Sequence, residues 1–179
     1  MTEVPLVCHP ATPAPWLEGI VVKVASDGQD GITLVYTVSG DLARLRLPPP
    51  ATPDRVDGLW RHTCCEAFVM GAEAPAYREY NFAPSGARQS YDFDAYRRGG
   101  RPAQTQPPHI TCQPAESRFT LTASLAHLDL PPGRRLRLAL SAVIEDRSGQ
   151  LSYWALRHSA MQPDFHHPDA FTLELDLTT

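Results

Sequence analysis

Apolar and polar residues alternate with a period of two through most of this chain, and that pattern constrains the fold more than any other feature. Ile20, Val22 and Val24 alternate with Val21, Lys23 and Ala25, and Ile32, Leu34, Tyr36 and Val38 with Thr33, Val35, Thr37 and Ser39. Phe119, Leu121, Ala123 and Leu125 alternate with Thr120, Thr122 and Ser124. Leu136, Leu138, Leu140, Ala142 and Ile144 form a longer stripe, and Phe171, Leu173, Leu175 and Leu177 repeat the pattern near the end. Successive side chains of a strand point to opposite faces, so each run predicts a strand with one face in a core and one outside it. Ala43, Leu45 and Leu47, interleaved with Arg44 and Arg46, predict one more. Ser26-Asp27-Gly28-Gln29-Asp30-Gly31 predicts a hairpin link between the first two.

The middle of the chain is more mixed. Residues 64–70, 77–83, 87–93 and 151–157 read as strands carrying aromatics on both faces, with Pro84-Ser85-Gly86 turning one into the next. No stretch long enough for a helix shows a clean helical period; 53–60 and 159–168 predict a single turn each. Pro48, Pro49 and Pro50, then Pro102, Pro107 and Pro108, then Pro131 and Pro132, mark loops, because proline cannot donate within a sheet. About ten strands without strand–helix alternation imply an all-β fold: an antiparallel β-sandwich or jelly roll with at most short helical turns. No internal repeat or linker divides the chain, so 1–179 reads as one domain with its core over 18–177.

Composition excludes several classes. With 42% hydrophobic and 20% charged residues the balance is globular rather than disordered. The net charge of -4 argues against a nucleic-acid or anionic-membrane partner. No apolar run approaches the roughly 20 residues of a membrane-spanning helix. The N-terminus lacks a basic stretch followed by an apolar core, so no signal peptide is read and the expected location is the cytoplasm. Cys8, Cys64, Cys65 and Cys112 follow no disulfide-framework or zinc spacing, and we read them as free thiols. Lys23 is the only lysine among 16 basic residues; codon bias explains such an arginine excess, and planar polar ligands held by two-point hydrogen bonds would as well. Gly-x-Ser-x-Gly and the phosphate-cradling glycine loops are absent, so we expect no enzyme. A Glu66 pair with Asp92 or Asp94 for acid–base hydrolysis is the remaining catalytic reading.

Three clusters are chemically unusual. On 64–70, Cys65, Ala67 and Val69 form one face and Cys64, Glu66, Phe68 and Met70 the other, which sets a carboxylate among apolar neighbours. Burying a lone carboxylate is costly, so Glu66 needs a donor, and Arg61, His62 and Arg97 are the candidates. The second cluster is Glu79-Tyr80-Asn81-Phe82 with Ser90-Tyr91-Asp92-Phe93-Asp94-Ala95-Tyr96-Arg97. Rings beside amides and carboxylates suit sugars, since rings cover the apolar C–H face of a pyranose while polar groups take its hydroxyls. The third is Ser152-Tyr153-Trp154-Ala155-Leu156-Arg157-His158 followed by Gln162-Pro163-Asp164-Phe165-His166-His167-Pro168-Asp169, with Met161 between them. Convergence of the three histidines on a metal, or of Met161 with His158 on haem, is open, as are histidines that merely pack on rings or bond to loop backbone.

Taken together, the motifs Asp57-Gly58-Leu59-Trp60-Arg61-His62-Thr63-Cys64-Cys65-Glu66-Ala67-Phe68, Glu79-Tyr80-Asn81-Phe82-Ala83-Pro84-Ser85-Gly86, Tyr91-Asp92-Phe93-Asp94-Ala95-Tyr96-Arg97, Leu151-Ser152-Tyr153-Trp154-Ala155-Leu156 and Pro163-Asp164-Phe165-His166-His167-Pro168-Asp169-Ala170-Phe171 resemble bacterial DOMON-like domain proteins. More distantly they resemble family-nine carbohydrate-binding modules. The resemblance spans roughly 18 to 177. It implies a sandwich that binds a sugar or a haem in a cleft at one sheet, without catalysis of its own. By motif position it implies that Trp60 stacks on the ligand, that Glu66 and Asn81 make polar contacts, and that Trp154 lies in a matching strand. Cys65 stands where the family usually has an aromatic residue. The expected ligand site is Trp60, Arg61, His62, Glu66, Asn81, Tyr91, Arg97 and Trp154, with His158, His166 and His167 at its rim, and the expected ligand is a small carbohydrate. A haem- or metal-binding domain, and a structural or protein-interaction domain whose aromatics are simply core, are the alternatives.

Overall fold

The computed structural model describes residues 1–26, 31–52 and 54–177. Among them are strands β1 (Thr2–Cys8), β2 (Leu17–Ser26), β3 (Ile32–Gly40), β4 (Cys64–Gly71), β5 (Tyr77–Phe82), β6 (Arg88–Phe93), β7 (Arg101–Pro102), β8 (His109–Pro114), β9 (Arg118–Leu125), β10 (Arg135–Glu145), β11 (Leu151–Ala155) and β12 (Leu173–Asp176). Helical structure is confined, among the described residues, to 3-10 turns at Leu42–Arg44, Leu59–Arg61, His127–Asp129 and Pro168–Ala170. The strands pair antiparallel in two layers, β1-β2-β3-β9-β8 and β7-β6-β5-β4-β10-β11, with β12 alongside β10. β1 belongs to both layers: Thr2–Leu6 pair with β2, and Val7 and Cys8 with β11. The expected all-β sandwich is the fold observed.

The layers face each other across one core. Ile20, Val22, Val24, Leu34, Tyr36, Val38 and Leu121 come from the first layer, and Cys65, Ala67, Val69, Tyr80, Phe82, Leu136, Leu138 and Leu140 from the second. Full burial of an aliphatic or phenyl side chain contributes about 1.5–3 kcal/mol, so these alternating stripes supply the main driving force. Tyr36 brings a hydroxyl into this core, and it donates to the Glu66 carbonyl oxygen at 2.6 Å, so the donor is not left unmet. The β5–β6 link forms where Pro84-Ser85-Gly86 predicts it: Gly86 takes φ 90°, a backbone region glycine enters without strain, and its N–H donates to the Ala83 carbonyl at 3.0 Å.

Several details differ from the sequence reading. Residues 43–47 are not a strand. Leu42–Arg44 form a 3-10 turn, Arg44 stacks over Trp16 at 5.7 Å, and only Leu45 is buried, bridging to Asp146. Pro48 follows at once and cannot extend a ladder. β1 and β8 are strands the alternation did not announce, and Arg101–Pro102 pair briefly with β6 inside an expected loop. The last strand is shorter than 171–177, because Phe171 turns away to join a second apolar cluster. The turn expected within 159–168 lies at Pro168–Ala170, and that expected over 53–60 at Leu59–Arg61. Residue 53 and the hairpin link at 27–30 lie outside the described residues, although β2 and β3 pair from Ser26 opposite Ile32 onward.

That second cluster positions the site. The outer face of β4, β5, β10 and β11 is covered by residues 156–172, whose Phe165, Ala170 and Phe171 pack on Phe68, Tyr77, Ala139, Val143 and Ala155. The cover is incomplete, and the gap it leaves is a cleft.

Candidate functional site

Cross-strand register sets the floor of the cleft. On the outer face of the second layer, Ser141, Glu66, Asn81 and Gln89 stand opposite one another across β10, β4, β5 and β6. The next row on that face is Ala139, Phe68, Glu79 and Tyr91, and the one after it Arg137, Met70, Tyr77 and Phe93. Side chains directly opposite or diagonal on one face are in reach of each other. Two carboxyls, two amides and several rings are thereby brought together by alternation alone.

The cavity above this floor has a volume of about 460 Å³, within the size range of small-molecule sites. Glu66, Glu79 and Phe68 form its base; Trp60, Tyr91, Phe93 and Arg97 stand on one side and Tyr153, Phe165 and His166 on the other. Trp60 is 40% exposed, an unusual state for an indole, and its ring meets the edge of Tyr91 at 5.8 Å. Tyr91 is fixed by a 2.8 Å hydrogen bond from its hydroxyl to Asp57, which also accepts from Gln89 at 2.8 Å. The 3-10 turn carrying Trp60 is preceded by Gly58, whose φ of 78° is a backbone region glycine enters without strain.

The opposite wall is held by charge. Asp164 accepts from Arg97 at 2.8 Å, from the Tyr96 hydroxyl at 2.6 Å and from the His166 backbone N–H at 3.1 Å. Arg97 has φ 51°, the one non-glycine residue with positive φ among the described residues. Such a conformation costs of order 1 kcal/mol and persists only when the surroundings impose it. Here its N–H donates to the Tyr77 hydroxyl at 3.2 Å and its guanidinium is tied to Asp164. Tyr77 in turn contacts His166 Nδ1 at 2.8 Å and stacks on Phe93 at 4.8 Å.

The two floor carboxyls are electrostatically unusual. Glu66 is 2% exposed; its Oε2 accepts from the Ser141 hydroxyl at 3.3 Å, and its Oε1 has no partner. Burial first, then the Glu79 carboxyl, raise its pKa well above the ordinary carboxylate value, and the Ser141 bond opposes them. Glu79 accepts from the Asn81 amide at 2.6 Å and lies 3.7 Å from His166 Nε2. Burial pushes its pKa up to about 6, against the Asn81 bond and the Arg97 charge. His166 is pushed down to about 4, by burial and then by Arg97, so its imidazole is neutral at neutral pH and supplies no counter-charge to Glu79.

Of the residues expected at the site, Trp60, Glu66, Tyr91, Arg97 and His166 border this one cavity. Asn81 lies on the same face but is fully buried below it, bonded to Glu79 and accepting from the Cys64 thiol at 3.6 Å, so it supports the floor rather than forming it. Arg61, His62 and Arg97 do not donate to Glu66; Ser141 does. Arg61 is exposed on the Leu59–Arg61 turn, and His62 is bonded to Glu145 at 2.8 Å. Trp154 belongs to the inner core: it stands opposite Ala142 of the inward stripe and bonds Ser152 at 3.0 Å. Its neighbour Tyr153 faces the cleft instead. His158 donates from Nε2 to the Val7 carbonyl at 2.9 Å and sits edge-on to His9 at 4.7 Å. His167 caps the Pro168–Ala170 turn, accepting from the Asp169 N–H. The three histidines therefore sit in three different settings, Met161 is 94% exposed, and among the described residues no three His, Cys, Asp or Glu side chains are placed to hold a metal. Glu79 and Phe93 were visible in the sequence as members of the second cluster, and Tyr153 and Phe165 as members of the third, but none of the four was among the expected ligand contacts.

No family model matches the chain, and no curated protein matches it in sequence. Solved structures do. A candidate carbohydrate-binding protein from Bacteroides uniformis aligns over 98% of this chain and 86% of its own, with a TM-score of 0.74 at 17% identity. A family-nine carbohydrate-binding module from Caldicellulosiruptor kristjanssonii in complex with cellotriose aligns over 97% and 82%, with a TM-score of 0.58 at 10% identity. A module of that family and organism in complex with glucose aligns over 88% and 75%, with a TM-score of 0.55 at 10% identity. What these likenesses share with the chain is the fold, two antiparallel layers packed face to face.

Proposed function

We propose that this chain is a non-catalytic carbohydrate-binding sandwich that takes a small sugar or glycan fragment in the cleft over β4, β5 and β6. One observation carries the reading. A half-exposed indole and several further rings stand around a buried carboxyl whose Oε1 has no partner. Rings shield the C–H face of a pyranose, and a buried acceptor gains most from a hydroxyl that completes it. The fold relatives in complex with cellotriose and glucose support the same choice of ligand class, as does the resemblance of the cleft motifs to DOMON-like and family-nine modules. In this reading Trp60 and Tyr91 stack or edge against the sugar, Glu66 and Glu79 take hydroxyls, and Arg97 and His166 hold the walls.

Titration calorimetry against a panel of mono- and disaccharides, with glucose and cellotriose included, tests it. Binding should appear for at least one member, be lost or weakened at least roughly tenfold in Trp60→Ala, and leave the oligosaccharide uncleaved after prolonged incubation. Silence across the panel, or a Trp60→Ala variant that binds equally well, removes the reading.

A further inference from the structure

The floor of the cleft has more negative than positive chemistry, and the imbalance is specific. Glu66 and Glu79 project from neighbouring strands on one face, and the Glu79 carboxyl makes ionisation of Glu66 costlier. The groups facing them are known from every packed element. Ser141 on β10 donates a neutral hydroxyl to Glu66, Asn81 on β5 a neutral amide to Glu79, and His166 of the covering segment approaches Glu79 as a neutral imidazole. Cys64 on β4 is a buried thiol directed at Asn81, and Tyr77 is engaged by His166 and Arg97. Arg97 is the cation at the cavity, and its guanidinium is committed to Asp164 at 2.8 Å. Among the described residues, no cationic group bonds either floor carboxyl.

Two buried carboxyls without a fixed counter-ion form an unfinished site. Metal is a poor completion, because no three-ligand group of His, Cys, Asp or Glu exists among the described residues. A neutral hydroxyl would satisfy Glu66 Oε1 and leave that carboxyl in the neutral form its burial favours. An ammonium would satisfy Oε1 and also favour the carboxylate form, since charge-assisted hydrogen bonds are about twice as strong as neutral ones. The walls favour the same group: rings such as Trp60 and Tyr91 attract cations as well as sugar C–H faces.

We propose that the ligand of this cleft is an amino sugar, with its protonated amine seated against Glu66 Oε1 and Glu79 and its ring against Trp60 and Tyr91. The inference rests on the carbohydrate reading above and narrows it to one substrate class.

The test pairs each amino sugar with its parent: glucosamine with glucose, galactosamine with galactose, mannosamine with mannose, by calorimetry on the full chain near neutral pH. At least one amino sugar should bind roughly tenfold or more tightly than its parent. That gap should narrow to about twofold in Glu66→Gln, and again, independently, in Glu79→Gln, with thermal melts confirming that both variants fold. If parents bind as well as their amino sugars, and Trp60→Ala abolishes both, the amine is wrong while the carbohydrate reading stands. A preference that survives both glutamine variants also overturns the assigned seat. If no member of any pair binds, the carbohydrate reading itself falls and takes this one with it.

Discussion

In the first layer, β3 buries Ile32, Leu34, Tyr36 and Val38 and leaves Thr33, Val35 and Thr37 half-exposed. In the second layer, β4 buries Cys65, Ala67 and Val69 against that layer, and buries Cys64, Glu66 and Phe68 on its other side as well. One sheet is a wall with an inside and an outside. The other is the middle of a stack, and its back needs cover that the segment 156–172 supplies in part. The contrast shows where a function can be placed on a sandwich. An outward face in solvent tolerates almost anything, whereas an outward face under partial cover turns each polar residue into a commitment.

Four measurements sharpen or break that contrast. The largest effect should come from the shared interior. Leu138 is fully buried, and Leu138→Ala should cost about 2–5 kcal/mol in urea denaturation. A cost well under 1 kcal/mol would mean that the layers do not meet as tightly as described.

Next is the covered back, where acidity matters. Glu79 has a folded pKa raised to about 6 from 4.5, so its contribution to stability improves as pH falls through that window. His166, lowered to about 4 from 6.5, acts in the opposite direction, because the unfolded chain takes up its proton first. The two oppose each other between about pH 6 and 4.5. Glu79→Gln removes the first and keeps the second, so on acidification across that window the variant should lose about 1–2 kcal/mol relative to the parent. Parallel stability curves would show that Glu79 is not held as described.

Trp60→Ala separates fold from site. Its exposed indole should be worth within about 1 kcal/mol to stability while mattering greatly to ligand binding. A collapse of the fold would make it a core residue. Smallest of all, Val35→Thr on the open face of β3 should change stability by about 0.5 kcal/mol or less.

The first layer was legible because its alternation has a single meaning. In that layer β2, β3 and β9 fall where period two puts them, as does β10 of the second layer. β1 contains Pro5 and buries only Leu6, and β8 half-buries only Ile110 and Cys112, so neither leaves a stripe to read. Residues 43–47 show the reverse: an alternating run whose Arg44 and Arg46 side chains go to Trp16, Asp146 and Glu145, and whose backbone makes an isolated bridge from Leu45 to Asp146 in place of a strand. On β4, β5 and β11 of the second layer, both faces are buried or half-buried, and parity alone cannot rank them. Trp154 and Tyr153 illustrate this, because a shift of one residue moves a side chain from core to cleft. The Glu66 anomaly was visible in the sequence, but its partner was not. Ser141 lies 75 positions away, and only strand pairing brings it there.

The convergence of Arg97, Tyr96 and the His166 amide on one carboxylate has a further consequence. Asp164 fastens the far jaw of the cleft to the turn that follows β6, and it does so at the water line, with the Arg97 side chain 52% exposed. A clasp of that kind loosens in brine while an oily seam tightens. Ionic strength is thus a dial on the aperture: concentrated salt should slacken the mouth without melting the body.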